Sequence, residues 1–395
     1  MKRHHVLFVT SSLCVGGAER HTVVLANGID ANRFRTSLLY LKPVHALAPL
    51  VDQERVSLHC CNGRRGFDRR VLRQIVRHLQ DQSVDIAVAA DPYSLLYLWL
   101  ARLLIRNPLA LVLVFHTTTL RSRKEKAQMG LYRWLTRGCN RLVYVCENQR
   151  RYWQRHGLRA QQSLVIHNGI DVDHFAHGHS GEDPTTLRAA LGFHANDYVI
   201  GMCAALRPEK AHGDLLNALA MLVQRGVNAK SLFIGDGTER TNIEAQIRRL
   251  SLQERVVITG LQSDVRPYVS LCNVLVLPSR AIETFSIAAL ESMALAKPLV
   301  LSDVGGASEQ VTSGENGFLF PAGDIAALTR HLESLADPAK QTAMGRRGAE
   351  VVRERFTLQR MLQAYSNMLS ELADGASTND ASLRTVGNRH AQAQR

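Results

Sequence analysis

Two Rossmann-like, doubly wound parallel-sheet domains, an α/β architecture, are the fold that the sequence predicts, and three observations predict it. Short apolar runs alternate with segments of helical length through both halves of the chain, the pattern of a parallel sheet covered on both faces by helices. Between those halves, from Ala176 to Pro184, the composition turns to Gly, His, Ser, Asp and Pro, as a hinge does. At 395 residues, 46% of them hydrophobic, the chain can fill two cores.

The domain limits that follow are 1–175, a linker over 176–185, and 186–356. In the first domain, strands are expected at Val6–Thr10, Ser37–Leu41, Val56–His59, Asp85–Ala89, Leu109–Phe115, Leu142–Cys146 and Leu164–His167. In the second they are expected at Tyr198–Ala204, Ser231–Ile234, Val256–Ile258, Val274–Leu277 and Leu299–Leu301. After Phe356, residues Leu358, Met361, Leu362, Tyr365, Met368, Leu369 and Leu372 fall at helical spacing. Residues 374–395 hold no aromatic side chain and read as a disordered tail.

Sheets of this kind bind ligands beyond the carboxyl ends of their strands, so the loops that follow strands carry the functional information. After the first strand, Gly16 and Gly17 let backbone N–H groups approach a ligand closely. Their spacing is neither GxGxxG nor a Walker A, which gives an NAD or ATP site no support, and a plain turn explains them as well. His116 ends the fifth strand, where a histidine is also an ordinary loop residue. Asn168-Gly169 is a strong turn signal; Asp171 and Asp173 form a DxD that the turn explains better than a metal does, and His174, His177 and His179 read as linker residues.

In the second domain, Arg207 and Lys210 lie on the loop after the first strand, and Gly235 and Gly237 on the loop after the next. The run Val274–Leu277, closed by Pro278, leads into a helix expected to begin near Thr284, with Glu283 at its mouth and Glu291 farther along. Free N–H groups of Phe285, Ser286 and Ile287 at that helix start would favour an anionic diphosphate. At 1.5 Å per residue, the two carboxylates lie about 12 Å apart along the axis. A glycoside hydrolase needs its pair roughly 5 to 9.5 Å apart across one bond. Here each carboxylate would serve a different end of one long ligand, such as a nucleotide-sugar. The plainer alternative is that glutamate in a first turn is favoured by the helix dipole alone and a mid-helix glutamate is a solvated face.

The stretch ETFSIAALESMA followed by KPLV resembles the donor-site signature of the retaining glycosyltransferases of family 4, which have the GT-B fold of two domains facing a cleft. Further segments resemble the family in the right order: GGAER, NGID, RPEK with Ala211 in place of a glycine, IGDGTER with Thr238 in place of a proline, DVGGASE and GENGFL. The likeness covers residues 6–373. It implies Glu283 at the donor sugar's hydroxyls, Glu291 at the ribose, Arg207 and Lys210 at the diphosphate, and Thr284, Phe285, Ser286, Ile287, Gly235 and Gly237 around the donor. Gly16 and Gly17 would contact acceptor or donor phosphate, and His116 would hydrogen-bond the transferred sugar without acting as a base.

The resemblance further implies transfer with retention, the leaving phosphate helping to deprotonate a hydroxyl acceptor that is a lipid-linked glycan or a surface polysaccharide or lipopolysaccharide precursor. It also places the last helix, 357–373, back on the first domain. No cofactor is expected, and no essential divalent metal, because cations and a helix N-terminus already meet the phosphates. A nucleotide-sugar epimerase of the same architecture is the alternative; a non-catalytic basic binding protein is a more distant one.

Charge separates the halves. Residues 1–175 hold 26 Lys plus Arg against 12 Asp plus Glu, net +14, and the remainder holds 22 against 23, net −1. The first domain therefore expects an anionic partner, and an anionic membrane surface is the one favoured. Two basic helical segments, one bearing Arg69, Arg73 and Arg77 and one over 120–141, would dock it, although ordinary solvated faces also read this way. No zinc finger, RNP motif or other nucleic-acid module is present, so nucleic acid is not expected. Seven cysteines with no CxxC pair fit a reduced compartment. The longest apolar segment, Leu95 to Ile105, contains Arg102 and falls short of the roughly 20 residues of a membrane span. MKRHHVLFVTSS reads as a first strand, not a signal peptide. The expected location is cytoplasmic, peripheral on the inner face of the membrane.

Overall fold

The computed structural model describes residues 3–64, 66–116, 123–176, 184–280 and 283–374, with the backbone alone for 123–127, 176 and 184. The chain divides into two compact units. One takes the residues up to His116, the segment ending at His167, and Met361 onwards; the other runs from Asn168 to Arg360. The division thus falls at His167, ahead of the linker expected at 176–185. The reason is local: Ile170 N–H donates to the Phe356 carbonyl at 3.0 Å, and Leu358 N–H donates to the Ile170 carbonyl at 2.7 Å. The NGID turn is thereby stitched to the segment after the last strand. Residues 177–183 of that linker, with His177 and His179, and the tail from 375 lie outside the described residues.

In the first unit the order is β1 (His4–Thr10), α1 (Gly17–Gly28), β2 (Phe34–Tyr40), β3 (Val56–Cys60), α2 (Arg69–Asp81), β4 (Ile86–Ala89), α3 (Pro92–Arg102), β5 (Ala110–Phe115), α4 (Arg123–Arg137), β6 (Arg141–Tyr144), α5 (Glu147–Arg155) and β7 (Gln162–Val165). The strands pair in parallel in the order β3-β2-β1-β4-β5-β6-β7. The chain winds outward from β1 to β3, then returns to β4 and winds the other way. The switch point therefore lies between β1 and β4. There the Asp91 carboxylate accepts from Ser11 N–H at 2.9 Å and, as N-cap of α3, from Ser94 N–H at 2.8 Å.

The second unit contains α6 (Val172–Ala176), α7 (Pro184–Ala190), β8 (Tyr198–Cys203), α8 (His212–Gln224), β9 (Ala229–Ile234), α9 (Arg240–Arg249), β10 (Val256–Ile258), α10 (Arg266–Leu271), β11 (Val274–Leu277), α11 (Ile287–Ala294), β12 (Leu299–Ser302), α12 (Ala307–Gln310), β13 (Gly317–Phe320), α13 (Ile325–Ser334) and α14 (Pro338–Arg355). Its strands are parallel in the order β10-β9-β8-β11-β12-β13, with the switch point between β8 and β11. A final helix, α15, covers 358–374. Its Leu362 lies against Gly28, its Ser366 hydroxyl receives the Asp30 N–H at 3.5 Å, and its Glu371 pairs with Arg141 at 3.7 Å.

Strands β1, β4, β5, β8, β11 and β12 are buried almost throughout. This is why they read in the sequence as continuous apolar runs without alternation. Two elements differ from expectation. The helix expected from Thr284 begins later, at Ile287, because the Thr284 carbonyl is taken by Gly306 N–H at 2.7 Å and Ser286, extended, caps Ala289 N–H at 3.2 Å. The 12 Å estimate for the two glutamates, made for one continuous helix, lapses with it. The strand β13 was not among those expected, since its four residues follow a Gly-Glu-Asn-Gly turn that masks the run. No helix among the described residues is long and apolar enough to cross a membrane.

Candidate active site

Two loops leave the carboxyl ends of β8 and β11 on either side of the second unit's switch point, where a doubly wound sheet leaves a crevice. The first, from Ala204 to Ala211, carries Arg207 and Lys210; the second carries Glu283. They meet in an ion pair: Lys210 Nζ lies 2.6 Å from Glu283 Oε2, and Ser279 Oγ donates to the same oxygen at 3.1 Å. Both partners are mostly buried, 22% and 16% exposed, so a ligand entering here meets a held pair of charges. Arg207 is exposed beside it. Ala211, standing where a glycine was expected, keeps the left-handed conformation at φ 54° and starts α8 all the same.

A second ionic clamp joins the same loops. Arg280 donates to Asp214 through Nη2 at 2.6 Å and Nε at 3.0 Å, while its backbone N–H reaches the Glu209 carbonyl at 3.0 Å. A bidentate contact of this kind fixes direction as well as distance, and it raises the Arg280 pKa above its ordinary value. Sequence reasoning gave neither residue a role. They are 66 positions apart, and no local pattern links them. Arg207, His212, Asp214 and Arg280 line a cavity of about 190 Å³ next to the clamp.

The Glu283 loop is held from behind by the segments that resemble family motifs. Gly305, at φ +58°, presses so closely on the Glu283 carbonyl that a Cβ would collide with it. Gln310 Nε2 donates to the Ser286 carbonyl at 2.8 Å, Asn316 Nδ2 to the Gln310 carbonyl at 3.0 Å, and Asn168 Nδ2 to the Phe285 carbonyl at 3.0 Å. Phe285 itself is buried against Phe356, ring centroids 5.2 Å apart. The loop has little freedom left, although its residues are not helical.

Glu291 sits in the second turn of α11, near the end of β8. Burial pushes the Cys203 thiol there up to about 12, with Glu291 adding to the effect and Lys210 opposing it. Gly235 and Gly237 face the preceding loop: a Cβ at either would strike the Ala204 or Leu206 carbonyl. Their missing side chains serve the close approach of two loops, joined by Leu206 N–H to Asp236 O and Glu239 N–H to Leu206 O, each at 3.0 Å. Asp171 accepts from His174 N–H at 3.1 Å, as a turn residue does.

In the first unit, Gly16 is the N-cap of α1, and Gly17 opens its first turn with nothing within 4 Å of where a Cβ would stand. His116 directly follows β5. Its ring meets the buried His21 ring edge-on at 4.9 Å, and His21 in turn meets Tyr365 of α15 at 5.7 Å. Burial lowers the His116 pKa to about 4. The ring is neutral near pH 7, suited to hydrogen bonding and not to delivering a positive charge.

A lysine, a glutamate and a helix N-terminus gathered at a switch point suit a phosphorylated ligand, and the chain carries two parallel, doubly wound α/β sheets, as the GT-B fold does. Residues 15–174 match the model described as Glycosyltransferase Family 4 and residues 183–351 the model described as Glycosyl transferases group 1. The chain belongs to this family of glycosyltransferases.

Among its relatives, an N-acetyl-alpha-D-glucosaminyl L-malate synthase from Bacillus anthracis is 28% identical over 47% of this chain and 49% of that protein. The lipopolysaccharide core biosynthesis mannosyltransferase LpcC of Rhizobium leguminosarum bv. viciae is 25% identical over 69% of this chain and 74% of that protein. The chain matches about half the length of several of these curated relatives. The fold is shared with Anabaena HepE, solved in complex with UDP, at a TM-score of 0.82 and 24% identity, covering 93% of this chain and 100% of that one.

Proposed function

We propose that the protein is a retaining glycosyltransferase that moves a sugar from a nucleotide-sugar to a hydroxyl of a lipid-linked glycan or of a surface polysaccharide or lipopolysaccharide precursor. The observation that carries this reading is the Lys210–Glu283 contact at the switch point of the second sheet. LpcC, a mannosyltransferase of lipopolysaccharide core biosynthesis, supports the acceptor class, and HepE, solved with UDP-glucose, supports the donor class.

As the bond from the sugar's anomeric carbon to the diphosphate breaks, negative charge grows on the leaving oxygen. Preorganised cations are worth most at that moment. Lys210 has three donors and uses one on Glu283, leaving others for phosphate. Arg207 and the first-turn N–H groups of α11 add to the same field. Glu283 accepts from the transferring sugar's hydroxyls and Glu291 from the ribose. The diphosphate oxygen takes the acceptor's proton on the face it leaves, which keeps the anomeric configuration.

The test is turnover of nucleotide-sugar donors with a hydroxyl acceptor. Glu283→Gln and Lys210→Ala should each lower it by about 10²-fold or more with the fold intact, chelators should leave it unchanged, and the product should keep the donor's anomeric configuration. Wild-type turnover in a folded Glu283→Gln protein, or an inverted product, would overturn the reading.

A further inference from the structure

Helices α2, α3 and α4 pack side by side on the first unit, and two properties coincide on the surface they share. Of the nine large hydrophobic side chains exposed among the described residues, five are here: Phe67 before α2, Leu103 and Leu104 just past α3, and Leu131 and Trp134 on α4. Leu103, Leu104 and Trp134 are more than half exposed, at 61%, 58% and 52%. Single exposed leucines are ordinary; these are neighbours. Leu104 closes a groove of about 360 Å³ with Phe67, Leu72 and Val76. Trp134 leans on Trp99 of α3, ring centroids 4.5 Å apart, and Arg102 Nη1 donates to the Gly138 carbonyl at 2.8 Å, which fastens the end of α3 to the end of α4. Leu131 and Trp134 are one turn apart and so share a face of α4.

The second property is charge. Residues 69–80, 92–106 and 128–137 contain no aspartate or glutamate, and they contain eight arginines. Arg69, Arg73 and Arg77 stand along the rim of the apolar groove. Three carboxylates border these segments, Asp68, Asp81 and Asp91; Asp68 caps α2, accepting Arg70 N–H at 2.8 Å, and Asp91 caps α3, accepting Ser94 N–H at 2.8 Å.

Each familiar kind of occupant accounts for a different share of this surface. A nucleic acid would use the arginines and leave the leucines in water. A second copy docked about a two-fold axis would bury the leucines, but would set arginine against arginine. An anionic bilayer satisfies both, with apolar side chains at the boundary of headgroups and acyl chains and guanidinium groups on phosphates. We propose that the α2–α3–α4 face docks the protein on anionic phospholipid, with Leu103, Leu104 and Trp134 inserted and the α2 arginines on the headgroups. The proposal deepens the reading of a membrane-linked acceptor and is independent of the sugar chemistry.

Vesicle sedimentation of the full chain tests it, with phosphatidylcholine alone and with added phosphatidylglycerol. The wild type should bind only the anionic vesicles, and less as salt rises. Arg69→Gln/Arg73→Gln/Arg77→Gln should weaken binding about 100-fold, at roughly fivefold per arginine. Leu103→Ser/Leu104→Ser/Trp134→Ser should also release the protein, whereas Arg248→Gln/Arg346→Gln/Arg353→Gln, which removes the same charge from the second unit, should not. All variants should keep the wild-type rate of donor hydrolysis and the wild-type melting curve. Binding to neither vesicle, equal binding to both, or full binding by the serine variant would overturn the proposal. So would a wild-type dimer on gel filtration that the serine variant abolishes, since that assigns the face to a second copy. Loss of hydrolysis in every protein, wild type included, would count against the enzymatic reading and leave the docking result standing.

Discussion

At Gly305 two constraints fall on one residue. Its φ of +58° costs a side-chain-bearing residue about 1–2 kcal/mol, and a Cβ would in addition strike the Glu283 carbonyl. That obstruction is backbone and cannot rotate away, so relief has to come from moving the Glu283 loop. Gly305→Ala should therefore leave a folded protein with turnover reduced about 10- to 100-fold, as displacement of a reacting group does. Gly17→Ala, with open space at its Cβ, should be nearly silent. A Gly305→Ala enzyme at the wild-type rate would show that the loop position is not critical. Of the residues gathered here, Glu283, Lys210 and Arg207 could be singled out in the sequence because they lie on loops that follow strands. Their pairing could not be, nor could the Arg280–Asp214 clamp, because contacts between distant loops leave no trace in local spacing.

Among the elements, α11 and α14 set propensity against packing. Gly345 lies inside α14, where alanine would ordinarily gain up to about 1 kcal/mol. Here a Cβ would run into the Ala296 carbonyl just past α11, and Gly348 rests on Met293 of α11. Overpacking costs about 1–3 kcal/mol, so the clash outweighs the propensity. Gly345→Ala should lower the melting temperature, and because α11 carries Glu291, it should raise the KM for donor. A raised melting temperature would mean that α14 has room to shift. The strands were legible for the reason their burial gives, apolar runs with no polar face. The start of α11 was not, since Thr284 is kept out of the helix by a hydrogen bond from Gly306, which lies beyond the next strand. β13 escaped notice because a four-residue run opening on glycine carries too little periodicity to stand out.

For the molecule as a whole, buried histidines tie stability to pH. Burial lowers His78, His116 and His212 from an ordinary 6.5 to about 4. All three are neutral in the folded chain above that value. Their contribution is complete above pH 6.5 and is lost as pH falls toward 4, because the unfolded chain takes up protons that the folded chain refuses. The loss amounts to at most about 1.4 kcal/mol per pH unit for each histidine. Urea midpoints should fall between pH 7 and pH 5, less so in His212→Leu; identical midpoints would show these rings to be solvated. Composition foretold two α/β units; it gave no sign of the pairing of Ile170 with Thr357, which joins segments far apart in sequence.

That pairing has a consequence for how the protein is made. The main segment of the second unit runs from Asn168 to Arg360 and its two ends are hydrogen-bonded side by side, so a nascent chain holds both of those ends once synthesis has passed Arg360. The first unit has no such completeness. Its residues up to His167 are translated before the second unit, yet the α15 side chains that lie against Gly28 and His21 are translated after it. Domains generally fold as they emerge; here the half that begins first closes last, with a slot on α1 waiting for the final helix.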